Sequence, residues 1–215
     1  MGERKAEDRA AFLAQYDVSR ETCRRLDILA HELRRWRTVQ NLVGPGTLDA
    51  IWTRHIADSL QLLDLAPTAR SWLDLGSGAG FPGLVLGIAA LERDGMRVDL
   101  VESNGRKCAF LRHIVRLTGA PVTVHHARVE AVIQRFAGTE VVTARALAPL
   151  GQLLAWTEGL LTTGTVGLFP KGREVAAELT EAANSWRFEA ELVPSRTDSE
   201  ARIVHIQSLK AGRSA

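Results

Sequence analysis

From Ser71 onward the chain alternates two hydrophobic rhythms: short, nearly continuous apolar runs, and longer segments whose apolar residues recur every three or four positions. The runs near 71–75, 97–102, 121–125, 139–145 and 163–169 read as buried strands, and the segments near 82–91, 104–118, 128–136, 149–160 and 173–184 as helices between them. Such alternation predicts a doubly wound α/β fold with a mostly parallel sheet. The last two runs, 186–193 and 202–209, are joined by a polar turn and no helix, which predicts an antiparallel pair at the sheet edge.

Helical spacing also precedes the sheet. Leu26, Leu29, Leu33 and Trp36 stripe a helix over 20–37 that follows an earlier helical stretch. Thr47 is placed to cap a third helix, with Leu48, Ile51, Trp52, Ile56, Leu60 and Leu63 on its buried side. Its polar face then gathers Arg54, His55, Asp58 and Ser59. The expected organisation is a helical extension over 1–66 packed on a core domain over 67–215.

The first strand ends in an acid and breaks into glycines: Trp72-Leu-Asp74-Leu-Gly76-Ser-Gly78-Ala-Gly80-Phe81-Pro82-Gly83. Glycines there permit positive φ and a close approach of backbone to ligand, and Pro82 suits the first turn of a helix whose N–H groups face that ligand. Gly78-x-Gly80-x-x-Gly83 fits a dinucleotide fingerprint. Asp74 fits a different loop, that of S-adenosylmethionine-dependent methyltransferases, because a carboxylate repels a pyrophosphate and attracts a cofactor with ammonium and sulfonium charges. Glu102, at the end of the next strand, stands where a carboxylate accepts hydrogen bonds from ribose hydroxyls.

The 215 residues are 46% hydrophobic, enough for one good core, and their net charge of +2 says nothing by itself about nucleic acid. Distribution says more, since Arg34, Arg35 and Arg37 sit with Arg20, Arg24 and Arg25 on one helix. That flank is either a solvated face or a phosphate-binding surface. Two cysteines give no disulfide framework, no metal cluster is expected, and no apolar run reaches membrane-spanning length. A reduced, cytoplasmic chain without an export sequence is the expectation.

With these motifs in place, the chain resembles the ribosomal RNA small subunit methyltransferase G family, also called glucose-inhibited division protein B. The match runs through Asn41-Leu42-Val43, Arg54-His55-Ile56-x-Asp58-Ser59, the glycine loop, Arg106-Lys107-x-x-Phe110-Leu111, Arg128-Val129-Glu130, Arg145-Ala146 and Lys171-Gly172. The resemblance implies a seven-stranded Rossmann-like methyltransferase sheet and N7-methylation of a guanine in small-subunit (16S) ribosomal RNA. S-adenosylmethionine is the implied cofactor, and ribosomal RNA or the small subunit the implied partner of a monomer. Carried over by position, cofactor contacts fall on Asp74, Gly76, Gly78, Gly80, Phe81, Glu102, Ser103, Asn104, Val129, Glu130 and Arg145.

Guanine N7 carries an in-plane lone pair and no proton, so alignment suffices without a strong base. The chain accordingly lacks the Asn-Pro-Pro-aromatic grip of exocyclic-amine methyltransferases and the Pro-Cys nucleophile of pyrimidine-carbon enzymes. Arg145, His55 and Asp58 are the candidate catalytic residues, and Asn41, Arg54, Lys171 and the arginines at 34, 35 and 37 the candidate RNA contacts. An Arg54–Asp58 pair at i,i+4 would equally be structural. A nicotinamide-dependent oxidoreductase and a non-catalytic RNA-binding or ribosome-assembly protein are the other classes that share these features. The former leaves Asp74 unexplained, and the latter has no use for the glycines.

Overall fold

The computed structural model describes residues 2–37 and 47–210, with side chains at 8–36 and 49–210. Asn41 and the side chain of Arg37 therefore lie outside the described residues, as do the side chains of Thr47 and Leu48. Two helices, α1 (Gly2–Gln15) and α2 (Arg20–Arg37), lead to a segment of short turns and then to the sheet. β1 (Ser71–Leu75), β2 (Arg97–Glu102), β3 (Val122–His126), β4 (Val141–Ala144) and β5 (Val166–Lys171) run parallel. β6 (Phe188–Pro194) and β7 (Arg202–Leu209) complete a seven-stranded sheet of order β3-β2-β1-β4-β5-β7-β6, in which β7 is antiparallel to both neighbours.

Strand order reverses between β1 and β4, which opens a crevice at their carboxyl ends, where open α/β sheets bind ligands. β1 lies at that centre and is buried at every position. Alternation puts Trp72, Val98 and Leu100 on one face against α5 (Gly83–Ala89) and α6 (Gly105–Thr118). Leu73, Val101 and Val142 face the other way, against α8 (Leu150–Leu161). Phe12, Leu26, Leu29 and Leu33 of α1 and α2 join the first of these clusters, so the N-terminal helices share a core with the sheet.

The strand after α8 begins later than its apolar run suggests, because Thr163 back-bonds to helix carbonyls and Gly164 turns at φ +101° before Val166. The 128–136 helix is a short α7 (Val129–Val132) continued by a 3₁₀ turn, Ile133–Phe136. The larger difference lies before the sheet. The single third helix is instead a 3₁₀ turn (Thr47–Ala50), a π-helical turn (Trp52–Ala57), and the short α3 (Asp58–Leu60) and α4 (Leu62–Leu65). The cause is tertiary: Asp8, on α1, accepts from the backbone N–H of Trp52 (2.8 Å) and Thr53 (3.1 Å) and from the Thr53 hydroxyl (2.6 Å). A carboxylate from another helix thus caps the wide turn, a geometry that recurs at functional sites.

Candidate active site

The glycine loop leaves β1 as its spacing suggests. Gly76, Gly78 and Gly80 all have positive φ, at +63°, +57° and +95°. Gly83 serves close approach: a Cβ there would lie 2.6 Å from Asp74 Oδ2 and overlap Leu100, so only glycine lets α5 pack this near β1.

Asp74 is fully buried. Its Oδ2 accepts from the Gly83 N–H at 3.2 Å, while Oδ1 has no partner among the described residues. Burial pushes its carboxyl pKa up to about 7. Thr143, its neighbour in register on β4, is buried with an unpartnered hydroxyl. Both ring nitrogens of His55 and Nη1 of Arg145 are likewise buried and without a hydrogen bond. Among the described residues, only Arg34 Nε joins these in that condition. Buried polar groups normally find partners, so orphans gathered at the β1/β4 crevice make it the place in the fold most suited to a polar ligand. A cationic ligand suits Asp74, whereas a pyrophosphate would set negative charge beside it.

Glu102, at the end of β2, is 6% exposed and ties the loop to α6. Its Oε2 accepts from the Gly78 N–H (2.9 Å) and its Oε1 from the Asn104 N–H (2.8 Å). Asn104 uses its side-chain oxygen to cap α6, accepting from Arg106 N at 2.9 Å and Lys107 N at 3.2 Å. Ser103 is exposed beside it, and buried Val129 with exposed Glu130 opens α7 beyond β3. These positions rim the carboxyl ends of β2 and β3.

His55 stands over the loop from the π-helical turn, its ring stacked on Phe81 with centroids 4.9 Å apart. Burial, and then the charges of Arg145 and Arg54, push its pKa down to about 4, so the imidazole is neutral at pH 7. Arg145 follows β4 and donates from Nη2 to the Arg54 carbonyl at 3.2 Å. Its Nη1 lies 3.4 Å from Asp58 Oδ2, an ion-pair distance without hydrogen-bond geometry. Burial lowers the guanidinium pKa, and Asp58 opposes that shift. Next to it Ala146 holds φ +52°, a strained conformation for a non-glycine residue and one that clusters at functional sites.

Asp58 therefore pairs with Arg145 and not with Arg54. The π-helical turn is the reason: it adds a residue to the helical period, so side chains four apart no longer stack. Arg54 turns instead toward Asp198, 3.8 Å away. The other oxygen of Asp58 accepts from Gln61 Nε2 (2.8 Å), Thr197 Oγ1 (3.0 Å) and Ser195 Oγ (3.3 Å). Ser195, Thr197 and Asp198 belong to the polar turn between β6 and β7, and nothing in their local sequence signals a site; the same holds for Thr143 and Ala146.

A cleft of about 700 Å³ opens beside these groups, walled by Arg145 and Asp58 on one side and α9 (Val175–Ala183) on the other. Lys171 lines it, but its ammonium is engaged by Glu178 and the Ala148 carbonyl, both at 2.7 Å. Glu178 accepts from the Leu150 N–H as well, so Lys171 braces the wall where the sequence suggested a base contact.

Arg34 and Arg35 lie on α2, away from the cleft. Arg25 donates to the Thr118 carbonyl (2.9 Å), buried Glu32 meets His113 Nε2 (2.9 Å), and Trp36 packs edge-on to Phe110. Residues rising along α2 thus meet residues falling along α6, so the two helices are antiparallel. The arginine-rich end of α2 is carried to the edge of the sheet that bears the glycine loop. Arg35 pairs with Glu32 at 2.8 Å, with its side chain 66% exposed. Among the described residues, no group of three or more potential ligands could hold a metal ion, and no helix is long and apolar enough to cross a membrane.

The fold is shared with solved structures of distant sequence. The O-methyltransferase from Bacillus cereus in complex with SAH superposes with a TM-score of 0.60 at 13% identity, covering 96% of this chain and 99% of that one. A mutant of MtNAS in complex with S-adenosylmethionine gives 0.57 at 16% identity, covering 88% and 72%. Sequence similarity reaches further. The ribosomal RNA small subunit methyltransferase G of Methylobacterium radiotolerans is 66% identical over 95% of this chain and 96% of its own. The protein of the same name from Methylorubrum populi is 64% identical over 94% and 95%. A family model for rRNA small subunit methyltransferase G matches residues 22–205, a span that takes in the glycine loop, Glu102, the Asp58–Arg145 pair and the β6–β7 turn together. On that match, and on identity held along nearly the whole chain, this protein belongs to the rRNA small subunit methyltransferase G family.

Proposed function

We propose that this chain methylates N7 of a guanine in small-subunit ribosomal RNA with S-adenosylmethionine as donor. The observation that carries the reading is the near full-length identity to proteins named for that RNA, combined with a crevice whose buried orphan groups suit a cationic cofactor. The acceptor atom follows from the family resemblance. Glu102 would accept the ribose hydroxyls, the 129–130 edge would read the adenine, and Asp74 would face positive charge. The cofactor supplies an electrophilic methyl group when bound.

The protein's own residues position the acceptor. N7 needs no base, and a His55 neutral down to about pH 4 is not poised to supply one at pH 7. Asp58 offsets the positive charge that methylation places on the ring, and Arg145 sets the base against the loop. Residues 1–66 serve as an extension whose Arg34, Arg35 and Arg37 take the RNA backbone and whose Asp58 reaches into the site, while 67–215 hold the cofactor and Arg145. Undermethylated small subunits incubated with the protein and S-adenosylmethionine should gain 7-methylguanosine, read by mass spectrometry after nuclease digestion. No new 7-methylguanosine, together with a thermal shift by NAD and none by S-adenosylmethionine, would return the chain to the oxidoreductases.

The antiparallel α2 and α6 give a second expectation. Changing Arg34, Arg35 and Arg37 together to alanine should weaken RNA binding and flatten the slope of log affinity against log salt, by about 0.7–0.9 for each phosphate no longer neutralised. Cofactor affinity should not change. A triple variant with the wild-type slope would make this flank an ordinary solvated face.

A further inference from the structure

We infer that Ser195 and Thr197, in the turn between β6 and β7, are positioning residues for methyl transfer that act on Arg145 through Asp58. The inference rests on the proposed function and adds to it a segment that no sequence motif joins to the site. Asp58 reaches this turn across 137 and 139 residues of chain. A carboxylate on a helix has several rotamers open to it, and here three donors converge on one oxygen and leave one. With Oδ1 held by Gln61, Ser195 and Thr197, Oδ2 is directed at Arg145 Nη1.

The turn is itself fixed. Gln61 accepts the Arg196 N–H on Oε1 (3.0 Å) while giving its Nε2 to Asp58, and Arg196 pairs with Asp64 at 2.6 Å. The Ser195 hydroxyl lies 3.1 Å from that of Thr197 and accepts the Thr197 N–H at 3.2 Å. The hydroxyls therefore approach Asp58 from a braced loop. At the far end of the chain of contacts, the Arg145 side chain has one hydrogen bond among the described residues, to the Arg54 carbonyl, and sits beside the strained Ala146. Its second amino group has Asp58, at 3.4 Å, as its ion-pair partner among the described residues. Ser195, Thr197, Asp58 and Arg145 all line the same cleft, so a displaced carboxylate moves the guanidinium that faces the base.

Thr197→Val keeps the shape and deletes the hydroxyl. Single-turnover methylation of undermethylated small subunits at saturating cofactor should slow by roughly tenfold, the scale of one hydrogen bond to a charged group. KM for the subunit and the melting temperature should hold. Thr197→Ser should restore the rate, and Ser195→Ala with Thr197→Val should slow it further. In an Arg145→Ala background, Thr197→Val should cost nothing more, since residues in one network are not additive. A Thr197→Val variant at the wild-type rate, a failure of serine to rescue, or the same fold-loss with and without Arg145 overturns the inference. A wild-type protein that methylates no guanine overturns the proposed function, and this inference with it.

Discussion

Arg145→Ala is expected to lower the single-turnover rate of guanine methylation on the order of a hundredfold while leaving the fold standing. The side chain supports little structure: one hydrogen bond to a carbonyl at 3.2 Å and a loose ion pair at 3.4 Å, against the penalty of a largely buried guanidinium. Its position matters more. It stands where β4 ends, between the glycine loop and the 700 Å³ cleft, and misplacing reacting groups by about 1 Å costs on the order of a hundredfold. Saturating cofactor isolates this step from binding. Arg145→Lys keeps the charge but not the fork that spans Arg54 and Asp58, so it should recover only part of the rate. Wild-type turnover in the alanine variant would remove Arg145 from the chemistry and leave the site to His55 and Asp58.

Glu102→Ala should weaken S-adenosylmethionine binding by ten- to a hundredfold, from charged hydrogen bonds worth about 1.5–3 kcal/mol. As a strand-end acid it would be expected to do little for stability. In the structure its two oxygens hold the N–H groups of Gly78 and Asn104, so the alanine variant should also melt earlier and loosen the loop. Glu102→Gln separates the effects, because the amide keeps one acceptor for the backbone and loses the charge. Calorimetry on folded Glu102→Gln should show weaker cofactor binding with most of the melting temperature retained. Unchanged affinity would make Glu102 a brace for the loop and nothing else.

Periodicity alone located most of the strands and helices. Apolar runs in β1, β2 and β4 and three- to four-residue spacing in α2 and α6 specify strands and helices because those periods are local properties of the backbone. The positive φ of the glycine loop was legible for the same reason: only glycine takes that conformation without strain, so Gly76, Gly78 and Gly80 announce it. The acid at 74 and the acid at 102 could be placed because one is the last but one residue of its strand and the other the last, and strand ends in such a sheet share one edge.

What the tertiary structure decided are the contacts between segments far apart in sequence. Asp58 has a candidate partner four residues away in Arg54, and loses it because Asp8, from α1, caps a π-helical turn that shifts the helical phase. It gains Ser195 and Thr197 because β7 inserts between β5 and β6 and delivers the intervening turn to the mouth of the crevice, and Arg145 because β4 ends at that same edge beside β1. Lys171 reads as a free cation until α9 brings Glu178 within 2.7 Å. No short window of sequence holds Asp58 with Arg145, Ser195 or Thr197, whose distances are set by sheet order, and Lys171 meets Glu178, seven residues on, only once α9 packs beside the end of β5.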